Sequence, residues 1–274
     1  MPLAWIAPGL LWQIVFFLGP LLFLVVITFW TVSAFQLKPA ATLANWVKIL
    51  TASSFQRAFV YTTATALAAS ALVTLLAFPA AHTIAFRLPP RLQRLCIAVL
   101  LVPLFTSYMV RTYAWQIVLS EEGLVNTLLG LVGMPSIRLL GGLFSLFVGF
   151  LTLTLPLAIL IQTIACLGIE RTLIDAGENL GATPRQSIRF VVIPSMRAGL
   201  VLATATTFVL AFGDYVSPLL LTASNPPTLS ILIVDTVKSG SQWPRASVIA
   251  VVMMLTLALV FWLSVRLSYR RAST

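Results

Sequence analysis

The sequence predicts an all-α integral membrane protein: six transmembrane helices, both termini on the cytoplasmic side, and a cytoplasmic helical loop between spans four and five. Three observations carry this. The 274 residues are 59% hydrophobic and only 9% charged, where a soluble globular chain carries ~25% charge. Its uncharged runs are long enough to cross a bilayer, which takes ~20 apolar residues. The charge that exists gathers between those runs, above all in residues 170–197, which hold three of the seven acids and four of the seventeen Lys and Arg residues.

The spans follow in order. Residues 1–37 have no formal charge and hold span one, 6–30. That run is too long for a signal peptide, lacks a basic start and shows no clear cleavage site. Spans two to six are expected at 58–86, 95–119 (interrupted by Arg111), 141–168, 198–221 (with Asp214 near its end) and 246–266. All six read as one transmembrane domain covering 1–274. Strands are not expected, because the apolar runs are continuous rather than alternating.

Orientation comes from the basic residues. With both ends inside, the cytoplasmic side carries Arg87, Arg91, Arg94, Arg171, Arg185, Arg189, Arg197, Arg266, Arg270 and Arg271. The outside carries Lys38, Lys48, Arg57, Arg138, Lys238 and Arg245. Ten against six is the positive-inside bias, and it puts 170–197 in the cytoplasm. The formal charge of +10 sits at the ends of apolar runs, not on a polar domain with aromatics, so these are membrane-flanking charges and nucleic acid is not an expected partner.

The stretch ERTLIDAGENLGATPRQSIRFVVIPSMR, from Glu170, has the signals of two short helices joined by a glycine. Thr172 and Asp175 fit a capping box, so a helix is expected from Thr172. Leu173, Ala176, Gly177 and Leu180 make one apolar face. Gly181 suits the left-handed position beyond a helix C-terminus. Thr183, Pro184 and Gln186 repeat the start signal as N-cap, proline at N1 and Gln at N3. The second helix is expected to stop before Pro194, because the residue ahead of a proline avoids the helical region.

These residues resemble the EAA loop of permease subunits in binding-protein-dependent ABC importers. The matching positions are Asp175, Ala176, Gly177, Gly181, Ala182, Phe190, Ile193 and Pro194. Asp175 stands where that family usually has Glu, and Gly177 where it usually has Ala. Two further blocks resemble the spermidine/putrescine-type subgroup. One is VPLFTSYMVRTYAWQIVLSEEGLVNTLL from Val102, with RTYAW at Arg111, Thr112, Tyr113, Ala114 and Trp115, then Gly123 and Asn126; the other is FGDYVSPLLL from Phe212. Phosphonate, opine and iron importers of similar build share both blocks.

The resemblance implies an assembly in the bacterial inner membrane: two permease subunits, the second identical or a paralogue, with a dimer of ATPase subunits and a periplasmic binding protein. It implies a solute path, with a polyamine-like cation as the expected cargo and an aminophosphonate, opine or iron species as the alternative. It also implies that Thr172, Leu173, Asp175, Ala176, Gly177, Leu180, Gly181 and Ala182 form the ATPase-coupling element. No G-x-x-x-x-G-K-[ST] occurs, so ATP and Mg are expected in the partner ATPase, with no cofactor bound by this chain and no catalysis of its own. A secondary transporter or channel, the rival class, would show inverted repeats and ionisable residues near the midplane. No clear repeat is visible. A passive membrane anchor would not explain so many interrupted spans.

Little else offers chemistry. His82 is the one histidine and has no metal-ligating company; Cys96 and Cys166 are expected as free, buried thiols. Pro20, Pro79, Pro103 and Pro156 interrupt spans, and each frees a carbonyl that has to face a neighbour, water or a path. Loops 36–56, 120–138 and 222–245 are expected outside, against the binding protein, with Trp46 and Trp243 as contacts or interfacial anchors. Arg111 and Asp214 each lie 17 residues beyond a cytoplasmic basic residue, Arg94 and Arg197. At ~1.5 Å per residue both would sit about 25 Å across, near the outer edge of the apolar layer. They are expected either to pair or to snorkel separately. Asp214, Tyr215, Trp115, Tyr113 and Arg111 are the candidate path residues, an acid and aromatics suiting a cation.

Overall fold

The computed structural model describes residue 9, residues 11–33 and residues 35–269. The parts of span one before residue 9, together with Arg270 and Arg271, lie outside the described residues. The described chain is mostly helical. It divides into two compact units: residues 1–60 with 227–258, and residues 61–226 with 259–274.

In the first unit, α1 (Leu11–Ile27) is apolar and short. Its opening widens into a π turn over Ile14–Leu18, where the Gly19 N–H donates to the Ile14 carbonyl, and Pro20 follows directly. Proline removes one helical bond and its ring collides with the carbonyl four residues back; a wider turn just before it relieves both. A correction follows: a small antiparallel hairpin is present, β1 (Thr31–Ser33) with β2 (Gln36–Lys38), in the register Thr31↔Lys38. It lies outside the apolar runs, where the span argument against strands has no force. Next, α2 (Ala44–Thr51) is braced through the buried Asn45, whose Nδ2 donates to the Thr28 carbonyl at 2.9 Å and the Trp30 carbonyl at 2.8 Å. The loop expected at 36–56 is therefore folded rather than open. After the second unit the chain returns as α12 (Leu229–Lys238), then α13 (Trp243–Tyr269), whose last residues belong to the second unit.

In the second unit, α3 (Ser53–Phe86), which starts in the first, is 34 residues long with Pro79 inside it. At ~1.5 Å per residue it overshoots a ~30 Å hydrocarbon layer. Span three is not one helix. It runs as α4 (Pro90–Phe105), then α5 (Tyr108–Val118) after a 90° bend. Pro103 lies just ahead of the break, and Thr106 and Ser107 are extended. A short α6 (Leu124–Leu131) follows. Gly123 at its start has no room for a side chain, since a Cβ there would lie 2.6 Å from the Val118 carbonyl oxygen. Asn126 braces this loop by donating to the Ser120 and Ile137 carbonyls and accepting from the Ile137 N–H.

The centre of this unit is α7 (Leu143–Leu167), packed along α10 (Arg197–Phe212). Small residues let the backbones approach, as between membrane helices generally. A Cβ on Gly199 would run into Ala165, and one on Gly149 into the Ser217 side chain. Ala158 and Ala203 are buried with Val73 and Ala77 of α3. The Thr74 carbonyl, one turn before Pro79, accepts from the buried Gln162 Nε2 at 3.1 Å. Span five also breaks. α10 ends at Gly213, and α11 (Val216–Leu221) starts two residues after Asp214.

Among the described residues three helices are long and apolar enough to cross a membrane, or up to five spans if each bent pair counts as one.

Candidate functional site

Between α7 and α10 the chain folds into a helical hairpin, α8 (Arg171–Asn179) and α9 (Pro184–Ser195). Local chemistry sets its turn. Gly181 has φ +85°. Its N–H donates to the Glu178 carbonyl at 2.9 Å, and the Ala182 N–H to the Gly177 carbonyl at 3.0 Å. Those two bonds are a Schellman motif, which closes off the last carbonyls of α8. The start of α9 is a complete capping box: Thr183 Oγ1 accepts from the Gln186 N–H, and the Thr183 N–H donates to Gln186 Oε1 at 2.8 Å.

Two expectations for this hairpin are corrected. α8 begins at Arg171 with Glu170 as N-cap and no side-chain capping bond, so Thr172 and Asp175 form no capping box. Thr172 is already inside the first turn and its hydroxyl turns back to Glu170. Nor does α9 stop before Pro194. It passes through a π turn over Ile188–Val192, in which the Ile193 N–H donates to the Ile188 carbonyl, and continues to Ser195. This is the arrangement already met before Pro20. The turn onto α10 is a 71° bend at Met196.

The hairpin has an inner and an outer face. Ile174 packs on the buried cluster of Ala85, Cys166, Ile169, Val192 and Met196. Gly177 is half-buried, and a Cβ there would meet Val191 Cγ2 at an ordinary 3.7 Å. Leu173, Ala176 and Leu180 are exposed on the other side, Leu180 to 90%. The apolar face read from the sequence is thus the face this chain leaves uncovered. Around Gly181 a Cβ would meet nothing within 4 Å, so the left-handed backbone alone demands glycine there.

The second cluster sits where the two broken spans meet. Asp214 is 7% exposed. One carboxylate oxygen accepts from the Val216 N–H at 2.9 Å and the Ser217 N–H at 3.4 Å, which caps α11; the other accepts from the Tyr108 hydroxyl at 2.6 Å. Tyr108 OH also bonds Ser217 Oγ. Arg111 is engaged elsewhere, donating from NH1 to the Thr152 carbonyl at 3.0 Å. The two charges therefore do not pair. The equal-depth reasoning fails because the 90° bend ahead of α5 removes Arg111 from the line of α4. Tyr113 and Trp115 are exposed, and Tyr215 is half-buried. Tyr108 and Ser217 were missed from the sequence. The available signals were Asp214 two residues before α11, and Tyr108 at the first position after the break.

The remaining candidates have quieter places. His82 lies between the rings of Phe78 and Phe86, with centroids at 6.1 and 5.1 Å. Among the described residues no cluster could hold a metal. Both cysteines are free; Cys166 is buried, but Cys96 is only half-buried.

No family model matches the chain. In sequence it is 28% identical over 224 residues, 76% of this chain and 71% of the relative, to the inner membrane ABC transporter permease protein YdcU of Escherichia coli (strain K12). It is 26% identical over 268 residues, 93% of this chain and 94% of the relative, to the spermidine/putrescine transport system permease protein PotB of the same strain. The trehalose transport system permease protein SugB of Mycobacterium tuberculosis is 27% identical over 80% of this chain and 75% of its own length. In fold it matches a bacterial ABC transporter that imports alginate, with TM-score 0.76 at 17% identity over 98% of this chain and 95% of the other. It matches the MetNI methionine ABC transporter with TM-score 0.57 at 18% identity, over 79% and 97%. Relatives aligned along most of the chain are named as transport-system permeases and the solved structures share its fold: the chain is similar to the permease subunits of ABC transporters.

Proposed function

We propose that this permease admits a polyamine-like cation through a path of six spans, with both termini and the 170–197 hairpin on the cytoplasmic side, as a single permease domain. The observation that carries the solute class is the alignment with spermidine/putrescine permeases along 96% of the chain in one relative and 93% in another. The half-exposed aromatic residues are consistent with it. Tyr113, Trp115 and Tyr215 offer π faces to an ammonium group, and the Arg111 guanidinium is drawn off by the Thr152 carbonyl. Asp214 adds negative charge nearby while its oxygens serve α11 and Tyr108.

The assembly we infer pairs this chain with a second permease, identical or a paralogue, an ATPase dimer that carries the ATP and Mg, and a periplasmic binding protein. The alginate importer has been solved with its periplasmic protein, which supports the last of these. The outer face of α8, with Leu173, Ala176 and Leu180, is the surface offered to the ATPase. Thr172, Asp175, Gly177, Gly181 and Ala182 give it shape. The assembly would lie in the bacterial inner membrane.

Proteoliposomes holding the assembly test the reading. Uptake of labelled spermidine or putrescine should need ATP and the soluble binding protein. Uptake competed by an aminophosphonate, an opine or a ferric chelate instead of by polyamines would overturn the solute class. Uptake independent of ATP would point to a secondary transporter or channel.

A further inference from the structure

Behind the hairpin, on the side away from Leu180, lies a cavity of about 260 Å³. Its walls are the inner face of α8, the first turns of α9 and the end of α3. Arg171, Asp175 and Glu178 line it from α8, Arg87 and His82 from the end of α3, and Ser187 from α9.

Three features make this more than a solvent crevice. Arg87, Arg171, Asp175 and Glu178 are exposed, and among the described residues none of them is held in a side-chain hydrogen bond or ion pair. Ser187 is only 4% exposed, yet its hydroxyl has no partner; an unmade bond on a buried polar group costs about 1–3 kcal/mol. The charges are also segregated by position. Arg171 and Glu178 are seven residues apart on one face of α8, about 10 Å along its axis, with Asp175 between. Arg171 also borders the 85–90 segment, beside Arg87. The cavity is cationic at the end near α3 and anionic toward the tip of the hairpin.

A polyanion would meet the two carboxylates, and a polyamine would meet the two guanidiniums. The complementary solute carries both signs at separate ends. We infer that this cavity binds a small linear zwitterion, an amino acid with a terminal ammonium and a terminal carboxylate. Its carboxylate lies on Arg87 and Arg171, which suit bidentate recognition. Its ammonium lies against Glu178 and Asp175. Such a solute ties α8 to the end of α3 and so sets how far the hairpin is free to move. The site reads the cytoplasmic side and is separate from the transported cation.

Calorimetry on the full chain in nanodiscs tests this without reference to which solute is carried. 4-Aminobutanoate and 6-aminohexanoate should bind saturably. Butanoate and butylamine, each with one charge, should bind at least about tenfold more weakly, the loss expected for one charge-assisted bond. Arg171→Gln and Glu178→Gln should each weaken 4-aminobutanoate by about tenfold or more. If Arg171→Gln fails to fold, the exposed Glu178→Gln decides alone. No saturable binding of the aminocarboxylates overturns the site. So does butanoate or butylamine binding as tightly as 4-aminobutanoate, or undiminished binding in the Glu178 variant.

Discussion

Asp214 illustrates how a buried carboxyl group finds partners in apolar surroundings: it accepts from two backbone N–H groups and one tyrosine hydroxyl. Hydrogen bonds to a charged group contribute about 1.5–3 kcal/mol each. Asp214→Ala should therefore lower the thermal unfolding midpoint in detergent and impair uptake. Asp214→Asn retains an oxygen for the α11 amides and should be milder in both assays. The exchange Arg111→Asp with Asp214→Arg should rescue nothing, because Arg111 serves the Thr152 carbonyl. Recovered uptake in that double variant would restore the ion pair. At Gly181 the limit is φ +85° and not space. Gly181→Val should destabilise the hairpin by about 1–2 kcal/mol. Gly181→Asn, which tolerates a left-handed backbone, should fold normally. Gly181→Asp should stay in the membrane but hydrolyse ATP without uptake, if the ATPase closes over this turn.

The elements show what the sequence could and could not reveal. The hairpin turn was legible because its determinants are local: Gly181, Thr183, Pro184 and Gln186 act within one turn of where they stand. The breaks at 106–107 and 213–215 were hidden inside unbroken apolar runs, where hydropathy carries no bend signal. Pro103 and Tyr108 marked the first break, and Gly213 and Asp214 the second. Thr172 and Asp175 had the right spacing and the wrong place, because α8 already starts at Arg171, with Glu170 at the N-cap. Pro194 misled for a similar reason. The rule that helices end before proline assumes a regular turn, and the π turn at Ile188–Val192 avoids the clash. Packing of α7 on α10 and on α11 depends on two glycines, Gly199 and Gly149, that no periodicity singles out. Gly199→Leu or Gly149→Leu should cost about 1–3 kcal/mol by overpacking, read as a lower unfolding midpoint. Gly177→Ala, with its Cβ at 3.7 Å from Val191, should be neutral or stabilising.

On the scale of the whole molecule the account needs one face in the cytoplasm and one outside. Cysteines at Ser53 and Ser241 should react with an impermeant thiol reagent applied from outside; labelling only in inverted vesicles would reverse the orientation. The central claim is that the outer face of the α8–α9 hairpin receives the ATPase. Leu180 tests it most directly, since at 90% exposure it has almost nothing to lose within its own chain. In proteoliposomes holding the complete assembly, Leu180→Glu should leave the unfolding midpoint unchanged while ATP-driven uptake falls by tenfold or more, about the effect of placing one charge in a desolvated contact. Wild-type coupled uptake in Leu180→Glu would contradict the claim.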